Sequence, residues 1–200
     1  MKTTLLYLYN LFNSFGRFTT TEIEHILSQF EPKVCQEGTI VLDFGQINDN
    51  LYFIESGILR EFSMKGDDQD QDQDQDQTIT NWIMPENNFQ YVSDSFLDQT
   101  PSKFAIEVIE KAKIWTISKQ KLDKLYEELP QLNFMSRILI EQNLKKYEAF
   151  IRALRMPRED RLNWFYEFHP ELANRVHLKH IATYLNLTPQ GLSRIRGKKK

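Results

Sequence analysis

Near the C-terminal end of the sequence lie residues of the types that read DNA. They are Thr188, Gln190, Gly191, Ser193, Arg194 and Arg196, followed by Lys198, Lys199 and Lys200. Arginine can bridge guanine in the major groove, glutamine can pair with adenine, and serine can bind a phosphate or a base edge. The three terminal lysines suit phosphate contacts, with a disordered tail as the alternative. The segment therefore predicts a surface for double-stranded DNA.

The elements that would position these side chains are two short helices joined by a tight turn. Residues 178–195, LKHIATYLNLTPQGLSRI, fit the helix-turn-helix of DNA-binding proteins. Ala182 is small where the helices must cross, and Asn186 tolerates the positive φ that the turn needs. Thr188 is suited to cap the second helix and Pro189 to begin it. The apolar contacts between the helices would come from Ile181, Leu185, Leu187, Leu192 and Ile195. An ordinary helical hairpin is the alternative, but the turn and the basic face both favour DNA recognition.

The charge of the chain is divided unevenly, which supports the same interpretation. Residues 151–200 hold 11 Lys and Arg against four Asp and Glu, whereas the first 150 residues hold 14 against 24. A basic segment beside an acidic one points to nucleic acid or an acidic surface as the partner of the basic part. A chance excess of basic residues on a solvated face is the alternative.

Composition excludes several other classes of protein. With 40% hydrophobic residues and few glycines and prolines, the chain is an ordinary globular one. A single cysteine, Cys35, excludes an internal disulfide and favours the cytosol, and no Cys/His cluster has metal-ligand spacing. The short apolar run near the N-terminus predicts a packed helix and no membrane span. No nucleophile elbow, phosphate loop or clustered His, Asp and Glu set occurs, so an enzyme is disfavoured.

The first half of the chain predicts helices followed by an antiparallel sheet. Residues from about 4 to 30 have helical spacing, with a capping box at 19–22. Short strand-like runs follow at 39–42, 51–54, 58–64, 78–84 and 104–117, separated by glycine turns. The fold class is α+β, with a β-roll or jelly-roll-like core flanked by helices. Residues 67–77, an Asp-Gln repeat, predict a mobile hairpin tip, with an acidic cation site as the weaker alternative.

A long amphipathic helix is predicted to connect the two halves. Apolar positions recur from about residue 132 to 155, before Pro157, over more length than a small core needs. We expect a homodimer seam formed by Met135, Leu139, Leu144, Tyr147, Ile151 and Leu154. Simple packing of the helix on the sheet is the alternative. The predicted domains are 1–128, 129–155 and 156–200.

Taken as a whole, the sequence resembles a family. Residues 34–62, VCQEGTIVLDFGQINDNLYFIESGILREF, look like the first half of a cyclic-nucleotide-binding β-roll. Residues 175–197, RVHLKHIATYLNLTPQGLSRIRG, look like the winged helix-turn-helix of Crp/Fnr-type bacterial transcription regulators. The resemblance implies a cytoplasmic homodimer whose sensor domain adjusts two recognition helices on a near-palindromic operator. It also brings in RNA polymerase as a further partner.

The sensor half departs from the family pattern where a cyclic nucleotide would bind. The matching residues are Phe89, Gln90 and Tyr91, then Lys103 and Phe104. The family's Gly-Glu pair is missing, and a lysine replaces the arginine that clamps the phosphate, without its bidentate geometry. We therefore expect no binding of cyclic AMP or cyclic GMP. These residues form either a pocket for another ligand or plain core.

No cofactor is expected. An iron–sulfur cluster needs about four cysteines, and a haem needs a placed axial ligand, for which His25 is a weak candidate. Cys35 is either a redox thiol or, more commonly, a small buried apolar residue. The recognition helix also departs from the family, with Pro189 and Gln190 where an arginine and a glutamate are frequent. The sequence thus predicts a DNA-binding regulator, with an interaction module that has lost regulated DNA binding as the alternative.

Overall fold

The computed structural model describes residues 5–66 and 78–197, with side chains as far as Ile195. Two helices open the described chain, α1 (Leu6–Ser14) and α2 (Thr20–Ser28). The predicted capping box at the start of α2 is present, since Glu22 N donates to Thr19 Oγ1 at 3.3 Å and Thr19 N donates to Glu22 Oε2 at 2.7 Å. The Asp-Gln repeat at 67–77 lies outside the described residues.

In the part of the chain that the structure describes, six antiparallel strands form one sheet, which confirms the predicted α+β class. The strands are β1 (Glu31–Cys35), β2 (Ile40–Leu42), β3 (Asn50–Met64), β4 (Thr78–Met84), β5 (Phe89–Gln90) and β6 (Ala105–Ser118). The order is β1-β6-β3-β4, with β2 paired to β6 and β5 to β3. The long strands β3 and β6 therefore form the centre on which the other elements pack.

Strand β3 is continuous, although the sequence predicted two strands separated by a turn at Gly57. This glycine has φ 88°, and a Cβ there would lie 2.5 Å from the backbone oxygen of Lys111 on β6. The strand pairing shifts register on both sides of this point. Gly57 therefore bends one strand against its neighbour and does not end it.

A short helix, α3 (Ser93–Asp98), precedes β6, and the chain after β6 is helical. The helices after β6 are α4 (Lys119–Glu128), α5 (Gln131–Leu154), α6 (Arg158–Phe168), α7 (Leu178–Tyr184) and α8 (Pro189–Gly197). The long helix is confirmed by the 24 residues of α5. Between residues 156 and 197 the described structure contains no strand, so the wing implied by the resemblance is not seen in that range.

Three apolar clusters hold these elements together. One joins α1, α2 and α4 to the start of α5, and a second fills the inside of the β-roll. The third cluster crosses between the two halves, because Ile58, Ile83 and Ile109 of the sheet pack with Phe165 of α6 and Leu172 of the turns that follow it. Burying such side chains contributes about 1.5–3 kcal/mol each. The helix-turn-helix is thus seated on the sheet.

Candidate nucleic-acid interface

The turn between α7 and α8 has the geometry that the sequence predicted. Asn186 adopts φ 52°, a left-handed conformation that asparagine tolerates. Thr188 Oγ1 accepts a hydrogen bond from Gly191 N at 3.0 Å, and Pro189 is the first residue of α8. A threonine cap followed by proline fixes where the second helix begins. The predicted helix boundary is therefore confirmed.

The contact between α7 and α8 is apolar and buried. Its buried residues are Ile181, Ala182, Leu185, Leu187 and Leu192, and Ile195 packs against them while partly buried. One supporting side chain had no local sequence signal, namely Arg161 on α6. Its Nη1 donates to Leu185 O at 3.1 Å and to Asn186 O at 3.3 Å. These carbonyls end α7, so Arg161 stabilises the turn from a separate helix.

Helix α8 presents a polar face to solvent. Gln190, Ser193 and Arg194 are exposed and occupy positions i, i+3 and i+4, so they lie on one side of the helix. Thr188 is exposed at the start of the same helix. Arg196 lies in α8 by its backbone, and Lys198, Lys199 and Lys200 lie outside the described residues. These exposed side chains belong to the predicted DNA-reading set, and their contact with DNA stays a prediction.

Gly191 has a packing role that the sequence did not reveal. A Cβ at this position would lie 2.9 Å from Thr188 Oγ1, closer than real Cβ contacts. The sequence places Gly191 in the DNA-reading set. The structure adds a packing reason for the glycine, because a side chain there would press on the hydroxyl that caps α8.

A polar contact joins α7 to the sheet. Arg60 on β3 is buried, and its Nη1 lies 2.7 Å from His180 Nδ1 on α7. Arg60 Nε also donates to Glu107 Oε2 at 2.7 Å. Next to this pair, Thr183 Oγ1 donates to Thr80 Oγ1 at 3.0 Å. Since buried polar groups are costly when unpaired, these bonds favour one orientation of α7 on β4.

Arg175, just before α7, makes the most extensive ionic contact between the two halves. Its guanidinium donates two hydrogen bonds to Glu110 on β6, at 3.0 and 2.7 Å, and two to Glu86 after β4, both at 3.0 Å. The Glu110 and Glu86 carboxylates raise the pKa of Arg175. Partial burial raises the pKa of Glu86, but the Arg175 hydrogen bonds and charge outweigh it and the net pKa is lowered.

The predicted pocket residues line a groove, with one exception. Phe89, Gln90, Tyr91 and Phe104 lie along a cavity of about 790 Å³ between the sheet, α5 and the end of α7. Lys103 is exposed and is not among the lining residues, so it does not take the position of a phosphate clamp in this groove. This groove therefore brings together the predicted pocket residues other than Lys103. Its neighbour Phe104 packs against the apolar cluster inside the β-roll, whereas Lys103 is exposed.

Gln90 and Glu61 form the polar floor of this groove. Gln90 is buried and its Nε2 donates to Glu61 Oε2 at 3.1 Å. Burial raises the pKa of Glu61 to about 7, and the negative charge of Asp94 acts in the same direction. The hydrogen bond from Gln90 lowers this pKa but does not outweigh burial. The sequence placed Gln90 in the pocket but gave no signal for Glu61, which is distant along the chain. The floor of the groove therefore carries one acid and one neutral amide.

The middle of α5 is exposed on every side in the single chain. Residues 140–148 are all exposed, and the large apolar ones among them are Ile140, Leu144 and Tyr147, each more than half exposed. Their spacing of four and three residues makes one stripe, continued by the partly buried Ile151 and Leu154.

Two residues of the predicted dimer seam, Met135 and Leu139, lie in the apolar core of this chain and not on the exposed stripe. Met135 is only 2% exposed, and Leu139 packs with it in the N-terminal apolar cluster. The step of five residues from Leu139 to Leu144 breaks the four-and-three spacing, so the first part of α5 turns a different face inward. Met135 is therefore core in this chain, and Ile140 takes its place on the exposed stripe.

The remaining candidates have ordinary surroundings. Cys35 is buried, and desolvation raises the pKa of its thiol. His25 is exposed, with Nε2 2.9 Å from Glu128 Oε2. Across residues 5–66 and 78–197, no group of three or more His, Cys, Asp and Glu could hold a metal ion. In the same residues, no helix combines the length and the apolar character needed to cross a membrane.

Comparison with known proteins rests on solved structures, because no family model and no curated protein matches the chain. FixK2 from Bradyrhizobium japonicum is similar with a TM-score of 0.69 and 14% identity, covering 84% of this chain and 83% of FixK2. The regulator CLP from Xanthomonas campestris gives 0.67 and 15%, covering 90% and 91%. A putative Crp/Fnr regulator from Eubacterium rectale gives 0.68 and 14%, covering 94% and 87%. The chain thus has the Crp/Fnr-type fold.

Proposed function

We propose that this protein is a dimeric, DNA-binding transcriptional regulator of the Crp/Fnr type. The observation that carries the proposal is the exposed face of α8. Gln190, Ser193 and Arg194 share that face, and the helix bearing them is fixed by a threonine cap, a left-handed turn and a buried apolar contact. A recognition helix needs this combination of a rigid base and free polar side chains.

The domain division that we propose follows the same logic. Residues 1–128 would form the sensor unit, 129–155 the dimerisation helix and 156–200 the DNA-binding unit. Support for the middle part comes from the stripe of Ile140, Leu144 and Tyr147, which is too apolar for a solvated helix. A second copy packing on this stripe would place two α8 helices on successive major grooves of one DNA face, about one helical turn apart.

The sensor unit is not expected to bind cyclic AMP. A cyclic nucleotide carries a phosphate, and the groove offers it the acidic Glu61 together with the neutral amide of Gln90. Lys103, the residue that could have met the phosphate, is exposed and is not among the residues that line the groove. Like charges a few ångströms apart repel strongly where water is partly excluded.

The DNA-binding function is tested by comparing two substitutions on a duplex enriched from a random pool. Arg194→Ala removes an exposed arginine of α8, and Lys124→Ala removes an exposed cation of α4, far along the chain. We expect Arg194→Ala to weaken binding by about 1–3 kcal/mol, the usual range for a base-reading arginine, and to relax sequence preference. Lys124→Ala should leave binding close to the unchanged protein. Equal effects of the two substitutions would contradict the proposal.

A further inference from the structure

The groove between the sheet and α5 has lining residues of two kinds. Its walls are aromatic and aliphatic, formed mainly by Trp82, Phe89, Tyr91, Phe104, Leu144 and Tyr147. Its volume of about 790 Å³ lies within the range of small-molecule sites. The groove is therefore of a size and character that suit an apolar ligand with one or two ring systems.

The charge of the lining is entirely negative. The two charged residues among the described lining residues are Glu61 and Asp94, and no lysine or arginine is among them. Arg60, a buried cation of the sheet, is not among the lining residues and is held by Glu107, Thr80 and His180. An anionic ligand would therefore meet repulsion in this groove and find no described cation to offset it.

The polar groups of the groove offer hydrogen bonds to an uncharged ligand. Asn81 lines the groove, and its Nδ2 is buried without a hydrogen-bond partner in the described structure. Glu61 receives the Gln90 amide on one oxygen, Oε2, at 3.1 Å. A buried donor without a partner costs free energy, which a carbonyl, hydroxyl or ring nitrogen of a ligand would recover once the Asn81 amide turns toward the groove.

We propose that this groove binds an uncharged, largely aromatic small molecule that carries a hydrogen-bond acceptor, and that it rejects anions of the same shape. Glu61 is the specificity-determining residue, because its carboxylate stands on the groove floor. This inference goes beyond the DNA-binding function, and its test involves no DNA. It shares Leu144 and Tyr147 with the proposed dimer stripe, so it requires that the groove stay open when a second copy packs there.

Two fluorescent probes of nearly equal shape test the charge selectivity. N-phenyl-1-naphthylamine is uncharged, and 8-anilinonaphthalene-1-sulfonate is the same ring system with a sulfonate. At pH 8 the full-length protein should bind the uncharged probe saturably, with one site per chain, and the sulfonate at least ten-fold more weakly. Two unit charges a few ångströms apart at an effective dielectric constant of about 20 repel by enough to give that factor. In Glu61→Gln the preference should fall at least ten-fold.

Two tryptophan substitutions test the location of the site. Asn143→Trp places a large side chain at an exposed position of α5 that lines the groove, whereas Gln142→Trp places it at the neighbouring exposed position, which is not among the lining residues. Only the first should weaken binding of the uncharged probe, by about ten-fold or more. Both positions are exposed, so neither substitution disturbs a core.

Several results would overturn the inference. Equal affinity for the two probes, or a preference that survives in Glu61→Gln, would remove the role of Glu61. Equal effects of the two tryptophans would place the probe elsewhere on the protein. Binding that appears only after dilution to monomers would mean that a second copy of the chain occupies the groove. A failed DNA selection would leave each of these results unchanged, so the two proposals fail separately.

Discussion

Replacing Arg175 by glutamine should destabilise the contact between the C-terminal helices and the sheet. The substitution removes four hydrogen bonds of 2.7–3.0 Å and leaves Glu86 and Glu110 side by side without their cation. The side chains of the three residues are 30–37% exposed, so solvent screens their charges. The loss of stability should therefore be smaller than for a buried ion pair. Charge-assisted, two-pronged contacts of this kind give an expected loss of about 1–3 kcal/mol in the free energy of unfolding.

Urea unfolding followed by tryptophan fluorescence measures this loss, because Trp82 and Trp164 belong to the apolar cluster at the same contact. The matched control is Arg152→Gln, whose pair with Glu148 is 3.8 Å long and mostly exposed. We expect the control to cost less than about 0.5 kcal/mol. If Arg175→Gln costs no more than the control, the ionic contact does not hold the two halves together.

The same unfolding experiment, repeated at falling pH, gives a second check on the role of Glu86. The pKa of Glu86 is lowered in the folded protein, so its contribution is present above its usual value of 4.5 and is lost as the pH falls through the folded pKa. The difference between the unchanged protein and Arg175→Gln should therefore shrink below about pH 4.5. A difference that stays constant down to pH 3 would contradict the assignment of Glu86 as a partner.

Three further outcomes follow from the structure. Leu144→Asp should weaken dimerisation at least about ten-fold in sedimentation measurements, because each copy loses about 1.5–3 kcal/mol of apolar burial. The control Gln142→Asp should leave dimerisation unchanged. Equal effects of the two substitutions would show that the stripe is not the dimer interface. Burial raises the pKa of Glu61 to about 7, so ionisation of Glu61 destabilises the folded protein as the pH rises from 4.5 to 7. Relative to the unchanged protein, Glu61→Gln should therefore be more stable to unfolding by about 1–3 kcal/mol at pH 8 and equally stable at pH 4.5. A stability difference that does not change with pH would refute this. Replacing Lys198, Lys199 and Lys200 by glutamine should reduce the salt dependence of DNA binding without altering sequence preference, and an altered preference with an unchanged salt slope would contradict a phosphate role.

Local sequence signals predicted the helix-turn-helix well because each of its constraints is carried by neighbouring residues. Asn186 supplies the positive φ, and Thr188 caps the helix that follows it within three residues. The capping box at Thr19 is of the same kind. Such features depend on backbone groups close along the chain, so residue type and spacing are enough to predict them.

Features that depend on distant segments could not be predicted in this way. Gly57 looked like a turn, but its role is set by β6 passing 2.5 Å from its missing side chain. Met135 fits an amphipathic pattern equally well as seam or as core, and only the packing of α1, α2 and α4 decides between them. Glu61 and Gln90 are 29 residues apart, and their contact depends on how β3 and β5 are folded against each other.

The contact between the two halves was also invisible in the sequence. Arg175 and Glu86 are 89 residues apart, and nothing near either residue indicates its partner. The uneven charge of the two halves gave the sign of the interaction but not the residues. Tertiary pairing of this kind follows from the arrangement of strands, which hydrophobic periodicity does not fix.

The central claim is that two copies of this chain read DNA together through α8, and a selection from random duplexes tests it most directly. The unchanged, full-length protein would be used at about 100 mM salt, where nonspecific phosphate binding is already weakened. We predict enrichment of an inverted repeat whose half-sites lie about one helical turn apart, and loss of that enrichment in Arg194→Ala. Enrichment of no sequence, or of single half-sites that Arg194→Ala still selects, would contradict the account.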